Sequence, residues 1–183
     1  MSLTSLVVDQ VKCRKNGGKP SLEIARIIVA TETDDGSVAI DSRFIYHDVT
    51  EYIHDEFCYN YNGINSNDLM IRGERFDHVI DWLRASVAYR TVVVCGLTKE
   101  IAQVIGDTKC NIVNLHDFFR SKKAGDDSIM EPVSLMRLVS RFFGHEYRDG
   151  EPRDPFLEAR LKLSLYHVMR GFRTSGFLPP FDL

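Results

Sequence analysis

The chain has 183 residues, 44% of them hydrophobic and 27% charged, with a formal net charge of −3. That composition suits one ordinary domain with a substantial core; it excludes a disordered tract, and the near-balanced charge leaves any polyanion binding to local patches. No apolar run is long enough to cross a bilayer and no basic-then-apolar leader opens the chain, so the expectation is a soluble, cytoplasmic or nuclear protein, not secreted and without a membrane partner.

The four cysteines, Cys13, Cys58, Cys95 and Cys110, form no CxxC pair and no zinc-finger spacing, and read as reduced thiols. From the start, residues 4–11 (TSLVVDQV) make a β-rich run carrying Asp9 near its end. Residues 12–20 (KCRKNGGKP) hold four basic residues around an Asn-Gly-Gly turn signal, and residues 21–31 return as a second strand. After the Asp34-Asp35-Gly36 turn, residues 37–46 complete a three-stranded antiparallel meander.

Residues 52–70 are rich in aromatic and polar side chains. Within them the alternation of Phe57, Tyr59 and Tyr61 fits a strand face better than a stacking platform for a single strand. His47 and His54 have acidic neighbours, but their spacing matches no metal site. Phe76, Val79, Ile80, Leu83 and Val87 recur at helical spacing over residues 76–88, with Trp82 expected in the core or at a subunit contact. Residues 91–96 (TVVVCG) read as a buried strand, residues 98–105 as a short helix capped by Thr98, and residues 111–115 as another strand. This alternation predicts parallel strands joined by crossovers.

Residues 122–127 are expected to form a charged loop, and Pro132 to open an amphipathic helix through Phe143, stopped by Gly144. The last helix starts at Asp154-Pro155, an N-cap followed by a proline suited to the first turn. Leu157, Leu161, Leu165, Val168 and Met169 give it an apolar stripe, while Glu158, Lys162 and Tyr166 share another face. The chain is thus read as one domain over residues 1–183, with residues 171–183 a C-terminal tail that packs by its phenylalanines or awaits a partner.

RDPFLEAR at residues 153–160 resembles the last motif of the DEDDh-type 3′–5′ exonucleases, His-Asp-Pro-x-x-Asp-Ala-Arg. LVVDQV with SLEIARIIV is similar to the first motif and its return strand, and YNGINSNDLMIRGERFDHVIDWL to the segment that follows. VVVCGLTKEIAQVI resembles the strand and helix of the second motif, and SLMRLVSRFFG the helix before the last. The resemblance implies a ribonuclease H-like α/β fold: a mixed sheet, an antiparallel three-stranded meander plus parallel strands, flanked by helices.

In that family, carboxylates from three motifs hold two metal ions about 4 Å apart, which activate a water. Here Asp9 matches the first carboxylate, Val11 stands where the second belongs, Glu100 is the acid nearest the third position, and Glu158 replaces the last aspartate. Arg153 stands in the place of the general base, and a guanidinium does not take a proton from water. His145, eight residues earlier, is a lone loop histidine and reads as solvent-facing.

The resemblance therefore implies a catalytically inactive exonuclease-like module that binds nucleic acid, RNA ahead of DNA, or a protein partner in a nucleic-acid pathway. Asp9, Glu100 and Glu158 are its vestigial catalytic residues. Lys12, Arg14, Lys15 and Lys19 on the first hairpin, with Arg153 and Arg160, are the expected nucleic-acid contacts. No metal or cofactor is expected in the inactive form. The alternatives are a divergent nuclease using Asp9, Glu100 and Glu158 with Mg²⁺ or Mn²⁺, and a protein-interaction scaffold using the Trp82 face or the tail.

Overall fold

The structure is a computed structural model that describes residues 2–123, 126–144, 153–177 and 181–182. Three long strands begin it: β1 (Leu3–Cys13), β2 (Ser21–Glu32) and β3 (Val38–Ile45). Asn16 and Gly17, both at positive φ, form the tip between the first two, the left-handed geometry that an Asn-Gly pair tolerates. The chain continues through helices α1 (Glu56–Asn62) and α2 (Ser66–Arg72), strand β4 (Gly73–Glu74) and helix α3 (Phe76–Val87). Strand β5 (Thr91–Val94), helix α4 (Lys99–Ile105) and strand β6 (Asn111–Asn114) follow. The six strands lie in the order β4-β3-β2-β1-β5-β6, with β1, β2 and β3 antiparallel and β1, β5 and β6 parallel. This is the mixed sheet that the sequence predicts.

Alternation along the central strands sends side chains to two cores. Leu6, Ile27, Val29, Val92 and Val94 pack against α3 and α4 through Val79, Leu83, Ile101 and Val104. Leu3, Val7, Ile28, Ala30 and Val93 pack on the other face against the helices that end the chain, α5 (Leu135–Phe143) and α6 (Pro155–Thr174). A third cluster, Val11, Cys13, Ala25, Phe44, Ile64 and Leu69, lies beneath α1 and α2.

Three expectations are corrected. The aromatic stretch is not a strand: Asp55 caps α1 by accepting from the Cys58 N–H, and Phe57 and Tyr61 stack one turn apart on that helix, with centroids 6.4 Å apart. Of the charged segment expected as a loop over residues 122–127, 122–123 end strand β7 (Phe119–Lys123) and 126–127 begin its antiparallel partner β8 (Asp126–Pro132), while 124–125 lie outside the described residues. Its polar sequence lacks the apolar alternation that announces a strand. Pro132 ends that strand instead of opening a helix, and Ser134 caps α5 through the Arg137 N–H. At the end of the chain α6 runs on to Thr174, Phe172 packs against the core, and strand β9 (Phe181–Asp182) pairs in parallel with β7.

Candidate functional site

Three elements converge at the C-terminal end of β1, where Asp9 lies on the same face of the strand as Ser5 and Val7. Asp9 is 3% exposed and lies opposite Arg26 on β2, which is 7% exposed. Arg26 donates from Nε at 2.8 Å and ion-pairs from its terminal nitrogen at 2.7 Å, both to Asp9 Oδ2. The same guanidinium donates to the Asn62 carbonyl at 3.0 Å and sits 5.4 Å and 5.7 Å from the Phe44 and Phe156 rings.

Just past this pair the ladder shifts register, so that Gln10 faces Ile24 and Ala25 has no partner. A bulge of this kind turns the strand end. Val11 is accordingly buried in the cluster beneath α1 and α2 and does not line the cleft beside Asp9, contrary to the expectation that it faces the site.

α6 supplies the second half. Asp154 accepts from the N–H groups of Phe156 and Leu157, which fixes the start of the helix, and Ser5 Oγ donates to the Ala159 carbonyl at 2.6 Å, which seats it on β1. Glu158 is 6% exposed, and Lys162, one turn on, is 4% exposed. Lys162 Nζ lies 3.0 Å from Glu158 Oε1 and donates to the Leu6 carbonyl at 2.9 Å. Arg153 ion-pairs with the other oxygen of Glu158 and lies 3.9 Å over the Tyr61 ring. Burial lowers the Arg153 pKa and the nearby Asp9 carboxylate opposes that shift.

Asp9, Glu100, Arg153, Glu158 and Lys162 thus line one cleft of about 390 Å³, with Phe57 and Tyr61 at its margin. Gly96, at φ +86, forms its wall with its N–H held by Asn114 Oδ1; a Cβ there would come within 3.2 Å of the His116 ring. The cysteines are free thiols, and burial pushes Cys95, in the same cleft, up to about 11. His116, which the sequence reading passed over, lines the adjoining cavity with Arg153 and Glu158, and burial lowers its pKa. Its only sequence signal is its place just after a parallel strand.

The donor set fits a divalent pair poorly. Each buried carboxylate already faces protein cations, and among the described residues no cluster of three or more His, Cys, Asp or Glu is placed to hold an ion. Mg²⁺ demands near-ideal octahedral oxygen ligation, which two neutralised carboxylates do not offer. His47 and His54 do not converge: His47 Nε2 meets the Ile24 carbonyl at 2.8 Å, and His54 packs on Tyr59. His145 lies outside the described residues.

The hairpin cations divide. Lys12 pairs with Asp55 and Lys15 with Glu23, whereas the exposed Arg14, Lys19 and Arg160 have no side-chain partner among the described residues. Trp82 is half-buried on α3, and Arg43 lies 5.4 Å over its ring. The Lys12 bond, with the Cys58 N–H, holds the Asp55 pKa down at about 2 from its ordinary 3.8. A depressed carboxylate contributes stability that is full above its unfolded pKa and lost as pH falls through the folded one. The α1 cap should therefore hold from neutral pH to about 4 and fade toward 2; Asp55→Ala should remove that acid-sensitive part of an unfolding titration.

The sequence matches no described protein family and no curated protein. Among solved structures the fold is that of exonuclease domains. The Neurospora crassa Pan2 catalytic unit, a protease and nuclease domain, superposes with a TM-score of 0.63 at 18% identity over 94% of this chain. Escherichia coli exonuclease I in complex with a dT13 oligonucleotide gives 0.61 at 8% identity over 92%. The chain spans 28% of the Pan2 unit and 41% of exonuclease I. By fold it is an exonuclease-like, ribonuclease H-like domain. Among the described residues no helix is long and apolar enough to cross a membrane.

Proposed function

We propose that this chain is a non-catalytic exonuclease-fold module that binds single-stranded nucleic acid along the margin of its altered cleft. The observation that carries the reading is Arg153: at the position of the family's general base, it is ion-paired with Glu158 and stacked on Tyr61. A guanidinium held there takes no proton from water and presents positive charge where a strand would enter.

Two features supply the binding. Phe57, 80% exposed, stacks in parallel on Tyr61 at the margin and offers a ring face to a base, a contact of this kind being worth about 1–3 kcal/mol. Arg14 and Lys19, exposed on the hairpin tip, are available to phosphates. Exonuclease I, of the same fold, is solved with an oligonucleotide, which supports the ligand class.

Labelled single-stranded RNA and DNA, incubated with the protein in Mn²⁺ or EDTA, test the proposal on one gel. Retardation without shortening is expected with either ion condition. Phe57→Ala should weaken it about tenfold or more, and Arg14→Ala with Lys19→Ala should reduce its salt dependence by about one phosphate contact each. A second reading, a divergent nuclease, is favoured by His116, which lines the adjoining cavity with Arg153 and Glu158 and whose pKa burial lowers. That reading requires Mn²⁺-dependent shortening lost in both Asp9→Ala and His116→Ala. Neither retardation nor shortening would leave the fold as a protein-interaction platform.

A further inference from the structure

We infer that Arg26, Arg153 and Lys162 are tethered replacements for the divalent ions of the exonuclease fold, so that the cleft is a latent cation site filled by the protein's own charges. The inference rests on the exonuclease-like fold and deepens the non-catalytic reading.

Two buried carboxylates, Asp9 and Glu158, face three basic groups: Arg26 at 2.7 Å from Asp9, Lys162 at 3.0 Å from Glu158, and Arg153 on the remaining Glu158 oxygen. Surface pairs form and break with little consequence. These do not have that character, because every cation has a second anchor. Arg26 is fixed by the Asn62 carbonyl, Lys162 by the Leu6 carbonyl, and Arg153 by the Tyr61 ring. The anchors come from α1 and β1, so the cations are built into the scaffold.

The local charge then decides what the floor accepts. Asp9 and Glu158 are each held by protein cations, which an arriving divalent ion would have to displace in a desolvated setting. Glu100 is the one further acid lining the cleft among the described residues, and Val11, buried elsewhere, adds no ligand. Removing the cations reverses the balance. Glu158 without Arg153 and Lys162 is a buried carboxylate near a second one, and such a pair attracts a divalent ion.

Manganese alone, titrated calorimetrically into the full chain and its variants, tests this, with thermal unfolding in Mn²⁺ or EDTA run in parallel. The unaltered chain should show no saturable uptake and the same midpoint in both conditions. Arg153→Ala/Lys162→Met should melt lower in EDTA, recover in Mn²⁺, and bind Mn²⁺ at least about tenfold more tightly than the unaltered chain, the scale on which neighbours of a ligand shift metal affinity. Saturable uptake by the unaltered chain overturns the inference, as does a folded double variant that gains none. If the double variant does not hold its circular-dichroism spectrum in EDTA, Arg153→Ala alone decides, by whether Mn²⁺ raises its midpoint. The non-catalytic reading fails separately, on strand shortening by the unaltered chain.

Discussion

Arg26→Ala should lower the unfolding free energy by about 3–5 kcal/mol, the cost of leaving one member of a buried ion pair alone. Asp9 is 3% exposed, and both of its short contacts, 2.8 Å and 2.7 Å, come from the one guanidinium. Its removal also frees the Asn62 carbonyl and opens space beside Phe44 and Phe156. Arg26→Lys should recover only part of the loss, since one ammonium does not reproduce the fork that meets Asp9 and Asn62 together. The joint change Asp9→Leu/Arg26→Leu should approach the unaltered stability, because apolar packing can replace a buried pair at little cost. Urea midpoints at constant slope measure all three. A midpoint in Arg26→Ala equal to the unaltered chain's would mean that the pair is not structural.

Glu158→Ala should cost about 3 kcal/mol by the same logic, with Lys162 as the stranded charge. Lys162 is 4% exposed, and its one remaining bond would be to the Leu6 carbonyl at 2.9 Å. Arg153 would keep its place over Tyr61 at the mouth of the cleft, where water reaches it more easily. The effect should therefore fall mainly on the seating of α6 against β1. Glu158→Leu/Lys162→Met should restore most of the midpoint, whereas Lys162→Met alone should be mild, because Arg153 still compensates Glu158. A larger loss for Lys162→Met than for Glu158→Ala would reverse the assignment of which charge is stranded.

Much of the frame was legible because it rests on local rules. The Asp154-Pro155 start and the β-branched run at Thr91–Val94 follow from propensity and period and appear where expected, whereas the stripe of α6 does so only in part: Leu165 and Met169 are buried, but Leu157, Leu161 and Val168 are half-buried and Ala159, Leu163, Glu158 and Lys162 take the rest of the buried face. Lys162 was legible as a neighbour of Glu158, four residues apart on one helix face. Arg26 was not. It interrupts the apolar run IARIIVA of β2, and its meaning depends on the hairpin register that sets it opposite Asp9. A charge interrupting a buried strand was the available signal, but counting back from the hairpin turn sets Asp9 opposite Ala25, and only the bulge brings Arg26 to it. Val11 misled for the same reason: spacing of two puts it on the Asp9 face, and only the bulge carries the strand end under α2. Phe57 and Tyr61 fit both a period of two and an i, i+4 pair, and the Asp55 cap decides for the helix.

The two carboxylates of the cleft are closed over very different stretches of chain. Asp9 finds Arg26 within one hairpin, 17 residues apart, whereas Ser5 meets Ala159 across 154 residues and Lys162 meets Leu6 across 156. Short loops close early and at small entropic cost, while distant contacts wait for most of the molecule. During synthesis the meander and its first ion pair are thus free to assemble while α6 is still unmade. For that interval Val7, Ile28 and Ala30, which α6 covers in the finished fold, face water as an apolar sheet surface. The last helix is therefore a lid on the folding reaction as much as a wall of the cleft, and the period before it docks is when the chain is most exposed to sticking to its neighbours.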